Sequence, residues 1–205
     1  MRWAKMSGES PMKILALEFS SPRRSVAVLE DAKALGESHE DAPGHTQAFA
    51  LIERALSNAK IEREQIECIA VGLGPGSYMG IRIAIAIAQG WQLARGVKTA
   101  GVSSVDALLR QAGPKARVVI DAQRNEFYVA PPLRLATLDQ INPNEPIAGP
   151  EVTKWFPKGR IMFPEACVIA LLAAEHQSFV SADKLEPIYL RQATFVKAPP
   201  PRTIM

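Results

Sequence analysis

Residues 72–82 read GLGPGSYMGIR, and the rest of the chain is organised around this stretch. Three glycines at alternate positions, with a proline between the last two, cannot continue a strand or the interior of a helix. They predict a turn whose backbone another group can approach closely. The apolar run at 66–71 is typical of a short buried strand, and residues 77–95 are long and alanine-rich enough for a helix that ends at Gly96. This order of strand, turn and helix can either direct backbone N–H groups at an anion or let a partner pack tightly.

The helix prediction for residues 77–95 competes with a strand, because isoleucines alternate with other residues at 81, 83, 85 and 87. Length favours the helix, since a strand usually has about five or six residues. The segment is apolar nearly all round, which predicts burial on more than one side. Gly80, Ala84 and Ala88 follow one another at helical spacing and form a ridge of small residues. Two interpretations stay open: a core helix of one domain, or a helix shared between the core and a partner chain.

The composition indicates a globular chain and excludes several classes of function. A length of 205 residues suits one large domain or two smaller lobes. The net charge of +3 is too small to indicate a nucleic-acid-binding protein by itself. Cys68 and Cys167 are isolated, which predicts reduced, buried thiols in a cytoplasmic protein. The three histidines are scattered, and we find neither a metal site, a membrane span nor a signal peptide in the pattern.

The order of the predicted elements indicates two lobes. An opening hairpin at 13–29 is echoed by a second hairpin at 116–130, which follows a boundary at Gly113 and Pro114. An amphipathic helix is predicted at 45–59, and residues 131–164 are rich in proline and weakly patterned. The predicted division is a flexible extension at 1–11, a first lobe at 12–112, a smaller second lobe at 113–191 and a mobile tail at 192–205.

Six segments carry a resemblance to a known family. They are ILALEFSS at 14–21, SVAV at 25–28, GPGSYMGIR at 74–82, GVSS at 101–104, IDAQRNEFY at 120–128 and PIYLR at 187–191. Together they resemble the bacterial tRNA threonylcarbamoyladenosine biosynthesis family TsaB (YeaZ type), over nearly the whole chain from residue 12 to residue 191. The resemblance implies a two-lobed α/β fold of the actin/Hsp70/sugar-kinase-like (ASKHA) type with a reduced second lobe.

The same resemblance implies a non-catalytic partner of TsaD. TsaD transfers a threonylcarbamoyl group to the adenosine beside the anticodon of tRNAs that read codons beginning with A. Helices at 46–59 and 77–95 would pair with TsaD, a TsaE-like ATPase would join the assembly, and tRNA would be reached indirectly through the complex. A homodimer through the same helices is compatible with this implication. The residues expected at the partner interface are His45, Phe49, Ile52, Leu56, Tyr78, Gly80, Ile81, Arg82, Ala84, Ile85 and Ala88.

This sequence departs from the family at positions that bear on catalysis. Glu18 stands where the family usually has aspartate, which puts an inherited phosphate or metal geometry in doubt. Residues 103–108 read SSVDAL, where TsaD-type enzymes carry a pair of metal-binding histidines. Because imidazole ligands are what such a site needs, their absence argues against an enzyme. For Glu18 and Asp121 we favour the interpretation of strand-end carboxylates bonded to turn amides over a phosphate- or metal-directed role.

The glycine turn leaves nucleotide binding open. It matches neither phosphate-loop pattern, GxxxxGK[ST] or GxGxxG, so a close-packing turn competes with an ATP or ADP site. The candidate nucleotide contacts are Glu18, Ser20, Gly74, Gly76 and Ser77, and the partner role requires no cofactor.

Three classes of function therefore stay open. They are a binding partner of TsaD, an ASKHA-type enzyme with phosphotransfer or metallopeptidase-like activity, and a homodimeric structural protein.

Overall fold

The computed structural model describes residues 11–41 and 47–191. These residues form four α-helices and eleven β-strands, joined by loops and short 3-10 turns. In chain order the elements are β1 Lys13–Glu18, β2 Arg23–Glu30, β3 Lys33–Asp41, α1 Ala48–Ala59, β4 Cys68–Gly72, α2 Tyr78–Arg95, β5 Lys98–Val102, α3 Ser104–Ala112, β6 Arg117–Asp121, β7 Glu126–Ala130, β8 Arg134–Thr137, β9 Ile147–Gly149, β10 Arg160–Ile161, α4 Ala166–His176 and β11 Phe179–Val180.

The first lobe is built on a six-stranded sheet in the order β11-β5-β4-β1-β2-β3. β1 is antiparallel to β2 and parallel to β4, so the opening hairpin and the strand before the glycine turn lie side by side. Side chains of β1 alternate between two covered faces. Leu15 and Leu17 pack with α1 and α2, whereas Ile14 and Ala16 pack with α4. Both faces are buried, which explains the continuous apolar run of this strand.

Helix α2 confirms the predicted helix after the glycine turn. Ser77 caps its first turn, with the side-chain oxygen accepting a hydrogen bond from the Gly80 N–H at 3.3 Å. Gly96 ends the helix in the left-handed conformation, at φ 67°. Ala84 and Ala88 of the small-residue ridge are fully buried against the sheet of their own lobe. The ridge therefore belongs to the core of the first lobe, in which Ala84 and Ala88 are part of one apolar cluster with β1, β4 and α1.

The second lobe has a five-stranded sheet in the order β10-β9-β6-β7-β8. The predicted second hairpin is present as β6 and β7, which pair Val119 with Val129. Its core is aromatic: the ring of Phe127 meets Trp155 edge-on at 4.9 Å, and Phe156 lies 6.5 Å away. The weakly patterned segment contributes the short strands β8, β9 and β10. A two-lobed α/β architecture with a reduced second lobe is thus confirmed.

The predicted second lobe at 113–191 is wrong beyond about residue 165. Helix α4 packs on β1 and β2, and β11 pairs with β5 through Phe179 and Ala100. The apolar α4 returns to the first lobe because the face of the sheet that carries Ile14 and Ala16 needs a cover. The second lobe is therefore an insertion between α3 and α4. Residues 1–10 and 192–205, predicted as extension and tail, lie outside the described residues.

Candidate functional site

The glycine turn packs against the turn that follows β1. The N–H of Ser77 donates to the carbonyl oxygen of Ser20 at 2.7 Å. A Cβ placed on Gly76 would lie 2.1 Å from that same oxygen, and one on Gly80 would lie 2.0 Å from the Phe19 oxygen. No side chain fits in these gaps, so the glycines allow two backbone segments to touch. In this structure the turn serves close packing.

Glu18 is a buried structural carboxyl. Its Oε1 accepts a hydrogen bond from the Ser20 N–H at 2.7 Å, and its Oε2 accepts one from Ser104 Oγ at 2.6 Å. Ser104 Oγ in turn accepts the Gly74 N–H at 3.0 Å. Burial raises the pKa of Glu18, while the hydrogen bonds from Ser104 and Ser20 act in the opposite direction. The carboxyl therefore joins the end of β1, the glycine turn and the start of α3.

A cleft of about 550 Å³ lies between the lobes. Three of the candidate nucleotide contacts line it, Ser20, Gly76 and Ser77, whereas Glu18 and Gly74 do not. Asp121 of the second lobe also lines the cleft, and its Oδ1 accepts the Gln123 N–H at 2.7 Å. Asp121 thus fits the interpretation of a strand-end carboxylate bonded to a turn amide.

A carboxy-terminal segment at 187–191 connects the two lobes. In the first lobe the Ile188 N–H donates to the Leu73 oxygen at 2.9 Å. In the second lobe Arg191 donates to the carbonyl oxygens of Ala122 and Gln123, at 3.0 and 3.2 Å, and pairs with Glu126. Arg191 therefore holds the turn of the second hairpin against the first lobe.

An apolar groove of about 570 Å³ runs between α1 and α2. Phe49 is 68% exposed at its edge, an unusual position for a phenylalanine unless something covers it. One guanidinium, that of Arg63, reaches the groove, and it is paired with Glu53. The groove is lined by Ala48, Phe49, Ile52, Arg63, Ile83, Ala86, Ile87, Gly90 and Trp91.

The structure divides the predicted interface residues into three groups. Phe49, Tyr78 and Arg82 are exposed, and His45 lies outside the described residues. The others are buried in the first lobe's own core, which corrects their assignment as direct contacts, although Ile52 also forms part of the groove floor. These buried residues are Ile52, Leu56, Gly80, Ile81, Ala84, Ile85 and Ala88.

The partly buried and exposed residues of α2 that line the groove were not predicted from the sequence. Ile83, Ala86, Ile87 and Gly90 follow one another at helical spacing and form a second apolar stripe beside the buried one. That spacing was the available signal. It was hidden because the first stripe, at 80, 84 and 88, has the same character.

Comparisons with known proteins agree with this geometry. Residues 40–193 match the family model described as TsaD: tRNA N6-adenosine threonylcarbamoyltransferase. The tRNA threonylcarbamoyladenosine biosynthesis protein TsaB of Buchnera aphidicola (from Schizaphis graminum) is 32% identical over 131 residues, 61% of this chain. The Escherichia coli protein of the same name is 33% identical over 125 residues, 58% of this chain. The chain belongs to the TsaB (YeaZ) group of that family.

The TsaB alignments span 62% of the Buchnera protein and 54% of the E. coli protein, so this chain covers little more than half of the curated relatives' length. Two Pseudomonas aeruginosa structures share its fold. YeaZ itself has a TM-score of 0.73 at 23% identity, covering 87% of this chain and 100% of its own. An uncharacterized protein with similarity to peptidase YEAZ has the same TM-score at 24% identity, covering 88% and 100%. These two structures show that the chain has the fold of the YeaZ proteins.

No helix within 11–41 or 47–191 has the length and hydropathy that crossing a bilayer requires. Within the same ranges, His, Cys, Asp and Glu side chains form no group of three or more that could hold a metal ion.

Proposed function

We propose that this chain is a non-catalytic partner and activator of a TsaD-like catalytic subunit. The reaction is threonylcarbamoylation of the adenosine beside the anticodon, in tRNAs that read codons beginning with A. The observation that carries the proposal is the exposed apolar groove between α1 and α2 in a chain of the TsaB family. A second copy of the chain is the alternative occupant of the same groove.

The groove has the composition expected at the centre of a protein–protein interface. Phe49 and Trp91 supply aromatic area, while Ile83 and Ile87 supply aliphatic walls. Binding energy is usually concentrated in a few such central residues, with Trp and Tyr prominent among them. A partner that inserts an apolar side chain between the two helices would therefore gain affinity mainly here.

The non-catalytic part of the proposal is supported by the contacts of Glu18, of the glycine turn and of residues 103–108. Glu18 is enclosed and bonded to Ser20 and Ser104, and so faces no substrate. Gly76 and Gly80 bring backbone against backbone, so the glycine turn is used for close packing against Ser20 and Phe19. Residues 103–108 read SSVDAL and contain no histidine, where TsaD-type enzymes have a pair of them.

The test is co-expression with the TsaD-like protein of the same genome, followed by light scattering. We expect a one-to-one or two-to-two complex that Phe49→Glu abolishes. Ala50→Glu is the matched control, because Ala50 is exposed on the same helix outside the groove. Gly90→Arg should also abolish the complex, since nothing lies within 4 Å of a Cβ there and the larger side chain projects into the groove. A complex that survives both groove variants would refute the assignment of the interface.

Two further components of the proposed assembly need separate tests. A TsaE-like ATPase should join only the preformed complex, which sequential co-purification can check. ATP or ADP at the partner interface is tested by titrating the complex, and no binding at millimolar nucleotide rejects it. If the chain instead forms a homodimer that Phe49→Glu dissociates, and never binds the TsaD-like protein, the structural alternative is correct.

A further inference from the structure

One end of the second lobe carries an excess of positive charge. Arg117 begins β6 and Arg160 begins β10, and β9 lies between these two strands in the sheet. Lys115 stands two residues before Arg117, and Lys158 two residues before Arg160. The carboxylate here, Glu145, is paired with Arg117 at 2.7 Å. The four cations therefore leave an excess of three positive charges beside this end of the sheet.

A pocket of about 260 Å³ lies beside this end of the sheet, and Lys158 and Glu145 are its charged lining residues. Trp155 and Phe156 line it, together with Pro143 and Pro157. Trp155 is held in place by the edge-on contact with Phe127 at 4.9 Å and an interplanar angle of 82°. The pocket thus offers an aromatic side chain whose orientation is fixed before anything binds.

Polar groups stand at the rim of the same pocket. The turn from Phe156 to Gly159, closed by an N–H to oxygen bond of 2.8 Å, carries Lys158 at the rim. In the described part of the chain the Lys158 ammonium has no ion pair, whereas Lys154 is paired with Glu151 at 3.0 Å. Asn144 is exposed at the rim and can hydrogen-bond to a ligand edge. Arg160 uses one nitrogen to donate to the Ala112 oxygen and has further donors.

We propose that this pocket binds one unpaired base of a single-stranded RNA segment, with flanking phosphates on Lys158 and Arg160. An aromatic face beside exposed cations is the combination by which proteins bind single-stranded RNA, because every base can stack and every linkage carries a negative charge. A base within a duplex cannot enter, since both of its faces are covered by neighbours. The inference rests on the proposed function in one respect: the RNA is taken to be an unpaired region of the tRNA substrate.

The experiment is a fluorescence-anisotropy titration of the full chain with labelled single-stranded RNA and with duplex RNA, at several salt concentrations. Trp155→Ala should weaken single-strand binding roughly 5-fold to 150-fold, the equivalent of about 1–3 kcal/mol per stacked base. Trp155→Phe keeps an aromatic face and should restore most of the affinity. It also controls for lost packing against Phe127. Duplex binding should be unchanged in both variants.

The phosphate contact is tested by Lys158→Ala. Loss of one contact should reduce the slope of log affinity against log salt by about 0.7 for a single strand. Lys33→Ala is the matched control, because Lys33 is an exposed lysine of the first lobe, and its slope should equal that of the unaltered chain. No single-strand binding at low salt, or equal affinities for Trp155→Ala and the unaltered chain, would overturn the inference.

The two proposals fail independently. Phe49→Glu should lose the TsaD-like partner and keep RNA binding, whereas Trp155→Ala should keep the partner and lose RNA. If the chain binds single-stranded RNA through Trp155 and never binds the TsaD-like protein, the pocket assignment holds and the proposed function is wrong.

Discussion

Gly80 is the position where a single added methyl group should be most informative. A Cβ there would lie 2.0 Å from the Phe19 oxygen and 3.0 Å from the Phe19 carbonyl carbon, whereas ordinary contact begins at 3.4 Å. Both neighbours are backbone, so α2 and the end of β1 must separate by more than an ångström. Overpacking of this kind costs about 1–3 kcal/mol. The separation also strains the Ser77 to Ser20 hydrogen bond, at about 0.5–1.5 kcal/mol.

The intrinsic gain of alanine over glycine in a helix, about 0.8–1 kcal/mol, offsets part of that cost. We expect Gly80→Ala to lower the free energy of unfolding by about 1–3 kcal/mol. Gly90→Ala is the matched control in the same helix. Nothing lies within 4 Å of its Cβ, so it should raise the free energy of unfolding by about 0.5–1 kcal/mol.

Equilibrium denaturation in urea, followed by tryptophan fluorescence, measures both values. The decisive result is the opposite sign of the change in the free energy of unfolding, because both variants replace a glycine of α2 with alanine. If Gly80→Ala proved as stable as Gly90→Ala, the turn would not be a close-packing device. An anion-binding role for its open backbone would then deserve a new test.

Three further predictions concern other parts of the molecule. Folding raises the pKa of Glu18, so the native chain binds that proton more tightly than the unfolded chain does. The free energy of unfolding should therefore fall as pH rises from the unfolded carboxyl's pKa through the folded one. Glu18→Gln should remove this pH dependence. Denaturation curves across pH check this, and parallel profiles for the two chains would contradict it. Arg191→Ala should leave the first lobe folded and speed amide hydrogen exchange in the 121–126 turn, whereas Arg124→Ala, whose side chain is exposed, should not. Ala84→Trp should unfold the chain by overpacking, since Ala84 is fully buried, and a folded variant by circular dichroism would show that the core can expand there.

The local elements were predictable because their signals are local. Ser77 and Gly96 mark the ends of α2, and the turn residues between β1 and β2 mark the hairpin. The position of α4 was not predictable, because the sequence of an apolar helix does not specify which sheet it packs against. The return of residues 166–176 to the first lobe depends on contacts with β1 and β2, far away in the sequence.

The candidate site was harder to predict than the fold, for two physical reasons. Ala84 and Ala86 are both alanines of α2, and only the packing of the folded chain buries Ala84 and places Ala86 in the groove. Glu18 looks like a catalytic carboxylate in the sequence, yet its hydrogen-bond partner Ser104 lies 86 residues away. A contact between residues so far apart in the sequence produces no periodic pattern from which it could be predicted.

The insertion of the second lobe between α3 and α4 has a consequence for biosynthesis. While a ribosome is still making residues 113–165, the sheet face that carries Ile14, Ala16 and Leu29 has no α4 to cover it. The emerging chain must therefore keep an apolar surface exposed until α4 has left the exit tunnel. Long-range closure of this kind is slow, and it exposes intermediates to aggregation and to chaperones. Truncation just before α4 should accordingly yield an insoluble nascent product, although every strand from β1 to β5 has already been synthesised.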